Sequence, residues 1–412
     1  MKILTVNISD GQGGAARASY RLHKALLKEG IDSQMLVQHK SNDDYTILGP
    51  RTNIEKGIAS MGYVLDALPL RLYKNKMKTT FSSSWFSFSG VVDRINRINP
   101  DIVHLHWICG SMIKIENLTK INAPIVWTLH DNWLFTGGCH IMWECEKYKA
   151  DCGACVKLGS QKEYDLSRKI FNRKKRTFSK IENMTIVGVS QWITDCSKSS
   201  TLLQERKHIT LPNLIDTSIY KPFSKNHARE LWNLPKDKKL VLFGANSAIS
   251  DRNKGFKELS EALYKFKYED VELVVFGSST PKESQSFGFK THYLGYFHDD
   301  VSLITLYSSV DVVVIPSLQE SFGQIASESM ACGIPVVAFG HTGLLDIVEH
   351  KSNGYLAKPF DSSDLANGIE WILNYENYDE LCKNAREKIL KEFESEVVVK
   401  RYIKLYKGIL NA

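Results

Sequence analysis

The chain has 412 residues, 43% of them hydrophobic and 24% charged, which is ordinary for a globular protein long enough for two domains. No apolar run reaches the ~18–20 residues that a membrane span needs, which argues against a membrane-embedded chain. A net charge of +7 suits an anionic small ligand or an anionic membrane surface, and equally a solvated surface with no partner.

The opening "MKILTVNISDGQGG" is too short in its apolar part for a signal peptide and turns into glycines, so it predicts a first strand. The expected compartment is then the cytosol, where the eight cysteines stay reduced. Gly11, Gly13 and Ala16 match a G-x-G-x-x-A dinucleotide fingerprint. The second apolar run, "SQMLVQHK", ends in Gln38-His39-Lys40 where a dinucleotide enzyme needs an acidic residue for ribose, so that reading loses its main support. What remains is a tight glycine turn before a helix, or a loop whose bare Gly13 and Gly14 backbone can approach a phosphate or sugar.

Further apolar runs follow at "DIVHLHW", "APIVWTLH" and "TIVGVS". Between them lie two basic segments, residues 67–81 ("ALPLRLYKNKMKTTF") and 167–181 ("SRKIFNRKKRTFSKI"). Such stretches dock on anionic lipid headgroups or are simply solvated faces, and neither resembles a nucleic-acid recognition module. His104 and His106 share one face of a strand, but an H-x-H metal site needs a third ligand that the sequence does not offer. His130 stands at the end of the next strand, where a histidine is either structural or faces a ligand.

The loop 139–155, "CHIMWECEKYKADCGAC", gathers Cys139, Cys145, Cys152 and Cys155 in a C-x5-C-x6-C-x2-C pattern. Four thiolates within a short loop are what a structural zinc needs, with His140 a possible substitute for one of them. Disulfides or redox pairs, and four free thiols, are the rival readings.

"LPNLIDTSIYKPFSK" has two prolines and no strand-length apolar run, which places a linker at 212–222. A second series then begins: "KKLVLFGA", "VELVVFG", "THYLGYF", "VDVVVIPS", "GIPVVAFG" and "GYLAK". Continuous apolar runs alternating with amphipathic stretches predict an α/β chain with two doubly wound parallel sheets covered by helices. Ligands of such sheets bind beyond the carboxyl ends of the strands.

At that position in the second series stands "SLQESFGQIASESMACG". The free N–H groups of Gly323, Gln324 and Ile325 would open a helix there, where partial positive charge favours an anion. Glu320 and Glu328, on either side, are unsuited to phosphate and suited to hydroxyls. A diphosphate flanked by hydroxyls describes a nucleotide sugar, with the hexose toward Glu320 and the ribose toward Glu328.

The stretch from Pro316 to Gly354, with Ser317, Glu320, Phe322, Gly323, Glu328, "MACGIPVV" and Gly343, resembles the donor-binding half of family-four retaining glycosyltransferases of the GT-B fold. "LPNLIDTSIYKP" and "GGAARASYRLHKAL" resemble their interdomain segment and first loop. This chain looks like the bacterial polysaccharide-assembly type with a four-cysteine insertion. The resemblance implies two Rossmann-like domains facing each other across a cleft. They are an acceptor-side domain 1–211 and a nucleotide-sugar domain 223–385, with a carboxyl-terminal helix 386–412 packing back on the first.

It also implies roles. Glu320 lies against the donor sugar, Glu328 holds the ribose, and Lys254 in "DRNKGF" neutralises the diphosphate together with an arginine. Relatives often place that arginine where this chain has Ala245, so Arg252 is expected to substitute. Phe322 and Gly323 complete the donor loop, and His130 contacts the transferred sugar or positions the acceptor. The expected function is transfer of a hexose from a UDP- or GDP-sugar, with retention, to a lipid-linked oligosaccharide, on the inner face of the plasma membrane. No D-x-D sequence occurs, so Mg²⁺ and other catalytic cofactors are not expected. A nucleotide-sugar hydrolase or epimerase, or a non-catalytic nucleotide-sugar-binding protein, are the alternatives.

Overall fold

A computed structural model describes the whole chain except residues 12, 88–89, 245–249, 266–269, 278–288 and 298. Two compact units divide it, Met1–Pro212 with Val399–Ala412, and Asn213–Val398. The segment read as a linker is therefore not free. Residues 213–222 belong to the second unit, where Ile215 bridges Glu394 and the Arg386 guanidinium donates to the Tyr220 carbonyl at 3.1 Å. The segment expected as one helix over 386–412 is two, Tyr378–Glu392 and Ser395–Leu410, and only Val399–Ala412 counts with the first unit.

The first unit is built on strands β1 (Lys2–Ser9), β2 (Asp32–His39), β3 (Ile47–Leu48), β4 (Ile102–Leu105), β5 (Ile125–Leu129), β6 (Met184–Gly188) and β7 (Lys207–Thr210). They form one sheet in the order β3-β2-β1-β4-β5-β6-β7, every pair parallel. β4, β5 and β6 are buried along their whole length. That is why their sequences read as continuous apolar runs: helices cover both faces. The helix Gly14–Lys28 shows the complementary pattern, burying Ala18, Leu22, Ala25 and Leu26 on one stripe.

The second unit repeats the design with β8 (Lys239–Gly244), β9 (Val271–Phe276), β10 (Thr291–Tyr293), β11 (Val312–Ile315), β12 (Val336–Phe339) and β13 (Gly354–Ala357). The parallel order is β10-β9-β8-β11-β12-β13. In each sheet the chain winds outward from a central strand and returns to its other side, at β1/β4 and at β8/β11. Those switch points are where open α/β sheets leave room for a ligand.

The basic segment 167–181 is structural in part, with Lys169, Lys175, Arg176 and Lys180 exposed. It forms the helix Leu166–Phe178, in which Arg173 is buried, pairs with Glu116 at 2.7 Å and donates to the carbonyls of Ser83 and Ser84. Lys174 is fully buried. Among the described residues no helix is long and apolar enough to cross a membrane.

Candidate functional site

The carboxyl ends of β8, β11 and β12 carry three loops that are stitched together. After β8, Asp251 caps a single turn over Arg252–Lys254 by accepting from the Asn253 N–H. The Asn253 carbonyl then accepts from Leu318 N–H at 2.8 Å, and its side-chain amide donates to the Gln319 carbonyl at 2.8 Å. Gly255 makes this contact possible. Its φ is +71°, and a Cβ there would lie 1.7 Å from the Pro316 carbonyl oxygen. From the other side, the Glu320 N–H donates to Thr342 Oγ1 at 3.1 Å and Gly343 N–H donates to the Glu320 carbonyl at 2.9 Å.

The stitching brings Lys254 and Glu320 together. The Lys254 ammonium donates to Glu320 Oε1 at 2.7 Å, and Ser317 Oγ donates to the same oxygen at 3.0 Å. Both side chains are partly open to solvent, at 24% and 20% exposure. Burial works against the charged form of Lys254, but the Glu320 carboxylate outweighs it and the lysine pKa is raised. Gly255→Ala is expected to lower Tm by about 10 °C and to weaken any ligand binding at this pair, because both backbone strain and the Pro316 clash oppose it. Thermal denaturation checks this, and an unchanged Tm would contradict the packing of the two loops.

The helix expected after the Phe-Gly turn runs over Gln324–Ala331, starting from Gly323 at φ +106°. It ends in a Schellman arrangement, with Gly333 N–H donating to Met330 and Ile334 N–H to Ser329. Two residues of the expected donor set have other surroundings. Phe322 is buried, its ring 5.7 Å from that of Phe393, so it anchors the turn instead of offering a face to a ligand. Glu328 is 3% exposed and accepts from the Tyr307 hydroxyl at 2.9 Å, a partner that spacing along one helix could not reveal. Gln324 and Ile325 are half-buried, Ile325 packing against the core of this unit. Arg252 is exposed on its turn. Ala245, where relatives' arginine was expected, lies outside the described residues.

In the first unit, Gly13 has φ +90° and is exposed at the start of the helix Gly14–Lys28, with nothing within 4 Å of where a Cβ would stand. His130, after β5, is half-buried and hydrogen-bonded through Nε2 to His106 Nδ1 at 2.8 Å. Burial pushes its pKa down to about 4, with Asp131 pulling the other way, so the imidazole is neutral at pH 7. His104 is fully buried, both nitrogens engaged at 2.7 Å by the hydroxyls of Tyr406 and Thr128. It has no nitrogen left for a metal. A neighbouring network went unread in the sequence: Asp131 Oδ2 accepts from His140 Nδ1 at 2.6 Å and from Trp107 Nε1 at 2.8 Å. His140 Nε2 is bonded to Ser82 Oγ at 2.8 Å, so both of its nitrogens are also taken. The zinc role considered for His140 is thus contradicted.

These histidines set an acid limit. His104 and His130 have pKa values lowered to about 3 and about 4, and His23, between Ser33 and Thr46, to about 4. The unfolded chain binds these protons below about pH 6.5 while the folded chain refuses them, so stability is full above pH 6.5 and falls as the pH drops toward 4. For the fully buried His104 the loss by pH 4 is on the order of 3 kcal/mol. Denaturant midpoints measured from pH 7 to pH 4 should fall throughout, and His104→Gln should flatten that slope.

Known proteins bear on this geometry. Residues 224–391 match the family described as glycosyl transferases group 1. An uncharacterized glycosyltransferase of Methanocaldococcus jannaschii is 26% identical over 340 residues, covering 76% of this chain and 84% of that protein. A putative colanic acid biosynthesis glycosyl transferase of Escherichia coli, WcaC, is 22% identical over 86% of each chain. The solved structure of Anabaena HepE in complex with UDP and glucose superposes with a TM-score of 0.66 at 17% identity, covering 99% of this chain and all of that one. The second unit is thus similar to glycosyl transferases group 1 over residues 224–391, on a chain with the two-domain GT-B fold.

Proposed function

We propose that the protein is a retaining glycosyltransferase that moves a hexose from a nucleotide-diphosphate sugar to a growing surface-polysaccharide oligosaccharide. The observation that carries this reading is the Lys254–Glu320 pair at the β8/β11 switch point, beside the start of the helix Gln324–Ala331. A diphosphate arriving there takes the Lys254 ammonium as counter-charge and the first-turn N–H groups as donors. Glu320, released from Lys254, accepts hydrogen bonds from sugar hydroxyls. Glu328 takes the ribose hydroxyls, its orientation fixed by Tyr307, while Arg252 is a further phosphate contact.

In the reaction, the acceptor hydroxyl enters on the face from which the diphosphate leaves, and the departing phosphate oxygen takes its proton. Lys254 and the helix start stabilise the negative charge that grows on the leaving group. Neutral His130 serves the sugar or the acceptor as a hydrogen-bonding group, not as a cation. Fixed positive charge stands where a metal otherwise would, so the reaction is expected to proceed without Mg²⁺. HepE holds UDP and glucose in its solved complex, which makes UDP-sugars the first donors to try, with GDP-sugars next.

A lipid-linked acceptor draws support from the surface of the first unit. The helix Asn53–Asp66 and the turn after it expose Ile54, Met61, Val64, Leu68 and Leu72, with Arg71, Lys74 and Lys78 close in sequence. Apolar side chains fringed by bases suit the headgroup region of an anionic membrane, such as the inner face of the plasma membrane. WcaC, named for colanic acid biosynthesis, supports a polysaccharide product.

The test is transfer of labelled sugar from a panel of UDP- and GDP-sugars to a lipid-linked oligosaccharide extract, with and without chelator, followed by assignment of the new anomeric centre. The expected product keeps the donor's configuration and forms in chelator. Turnover of donor without any acceptor would point instead to hydrolysis or epimerisation.

A further inference from the structure

The cysteine-rich loop 139–155 takes no part in the donor site, yet its arrangement is specific. All four of its thiols are free, and Cys139, Cys152 and Cys155 are buried. They line one cavity together with Cys145, Gly137 and Lys157. The backbone is turned toward sulfur: Gly137 N–H donates to Cys152 Sγ at 3.2 Å, and the N–H groups of Lys157 and Leu158 serve Cys155. Gly137 is needed for this, since a Cβ there would lie 2.8 Å from that of Cys152. Such N–H donors favour a thiolate over a thiol.

The second observation is charge. Lys174 is fully buried against this loop, its ammonium held by the carbonyls of Trp133 and Thr136 and by the Trp133 ring at 3.7 Å. Among the described residues no carboxylate forms an ion pair with it. Lys157 is 5% exposed, and the Lys147 ammonium donates to the carbonyls of Gly153 and Ala154 at 3.0 and 2.7 Å. The Arg168 guanidinium donates to the Cys152 carbonyl. Arg168 also pairs with Asp151 and Glu163, whereas the fully buried Lys174 does not, and a buried cation with no carboxylate in ion-pair contact is costly.

We propose that Cys139, Cys145, Cys152 and Cys155 bind one structural zinc ion as four thiolates. The net charge of about minus two on such a centre supplies an anion for the buried Lys174. As they stand, no three His, Cys, Asp or Glu side chains among the described residues are gathered closely enough to hold a metal. Uptake therefore draws the sulfurs from the cavity wall to its centre and releases their protons to solvent. With all four positions filled by protein, no water is activated; the zinc braces the loop that follows β5 and His130.

The experiment is metal analysis of the full chain purified under reducing conditions without chelator, followed by replacement of the metal with cobalt. About one zinc per chain is expected, with a thiolate-to-cobalt charge-transfer band and tetrahedral d–d bands in the substituted protein. Removing the metal should lower Tm by about 10 °C, and readdition of zinc should restore it. Cys152→Ser with Cys155→Ser should lose the metal, but the wild-type measurement decides the matter even if that variant fails to fold. Metal-free protein with four freely reactive thiols, or with disulfides within the loop, would overturn the proposal.

Discussion

Glu320→Gln is expected to lower kcat/KM for sugar transfer by about 100-fold or more while leaving the fold intact. The amide keeps the shape of the carboxylate and can still accept from Ser317, and the Gly343 and Thr342 contacts of Glu320 are made by its backbone. What disappears is negative charge beside the sugar. The lost ion pair itself matters little to stability, because both partners are partly solvated and such pairs are worth roughly 1 kcal/mol or less. Steady-state kinetics alongside thermal denaturation separates the two. A variant that transfers at the wild-type rate would remove Glu320 from the site.

Lys254→Ala is expected to weaken binding of a free nucleoside diphosphate by about tenfold or more, with the difference shrinking at high salt. Two effects add: the diphosphate loses its counter-charge, and Glu320, left with Ser317 alone, now repels it. Glu320→Gln should do the opposite to binding, leaving diphosphate affinity unchanged or raised, since it removes the repelling charge and frees Lys254. Transfer falls in both variants while diphosphate affinity falls in one. A purely structural salt bridge would not produce that split, because its loss from either end would act alike.

Most of the fold was legible in the sequence because parallel strands buried on both faces must be continuous apolar runs. Eleven such runs became eleven strands. The two that went unread, β3 and β7, are the edges of the first sheet. β3 is two residues long, and β7 reads "KHIT" with its residues exposed or half-buried, so neither needed an apolar sequence. The division between the units falls at Pro212–Asn213, at the start of the segment 212–222 whose prolines and lack of a strand looked like a linker. That segment's backbone is instead held within the second unit by Arg386 and the Ile215–Glu394 bridge.

The site was legible where chemistry follows the chain and not where it crosses it. The glycines and Glu320 could be placed at strand ends from spacing, and Lys254 through the family resemblance. That Lys254 meets Glu320, 66 residues away, depends on Gly255 touching Pro316 and on Asn253 bonding Gln319. Tyr307 on Glu328, and Phe393 on Phe322, are likewise contacts between distant segments. Within the basic segment 167–181, Lys169, Lys175, Arg176 and Lys180 are exposed as a solvated face requires. Arg173 and Lys174 look like surface charge in sequence but are buried by partners, Glu116, Ser83 and Trp133, that lie 41 to 90 residues away.

The most direct test of the donor site is a calorimetric titration of UDP, GDP, ADP and dTDP into the wild-type protein and Lys254→Ala, in the presence of chelator. The structure predicts saturable one-to-one binding of at least one of these diphosphates without metal, weakened tenfold or more by the substitution. Binding of none of the four, or equal affinity in the two proteins, would contradict a diphosphate site at Lys254 and Glu320.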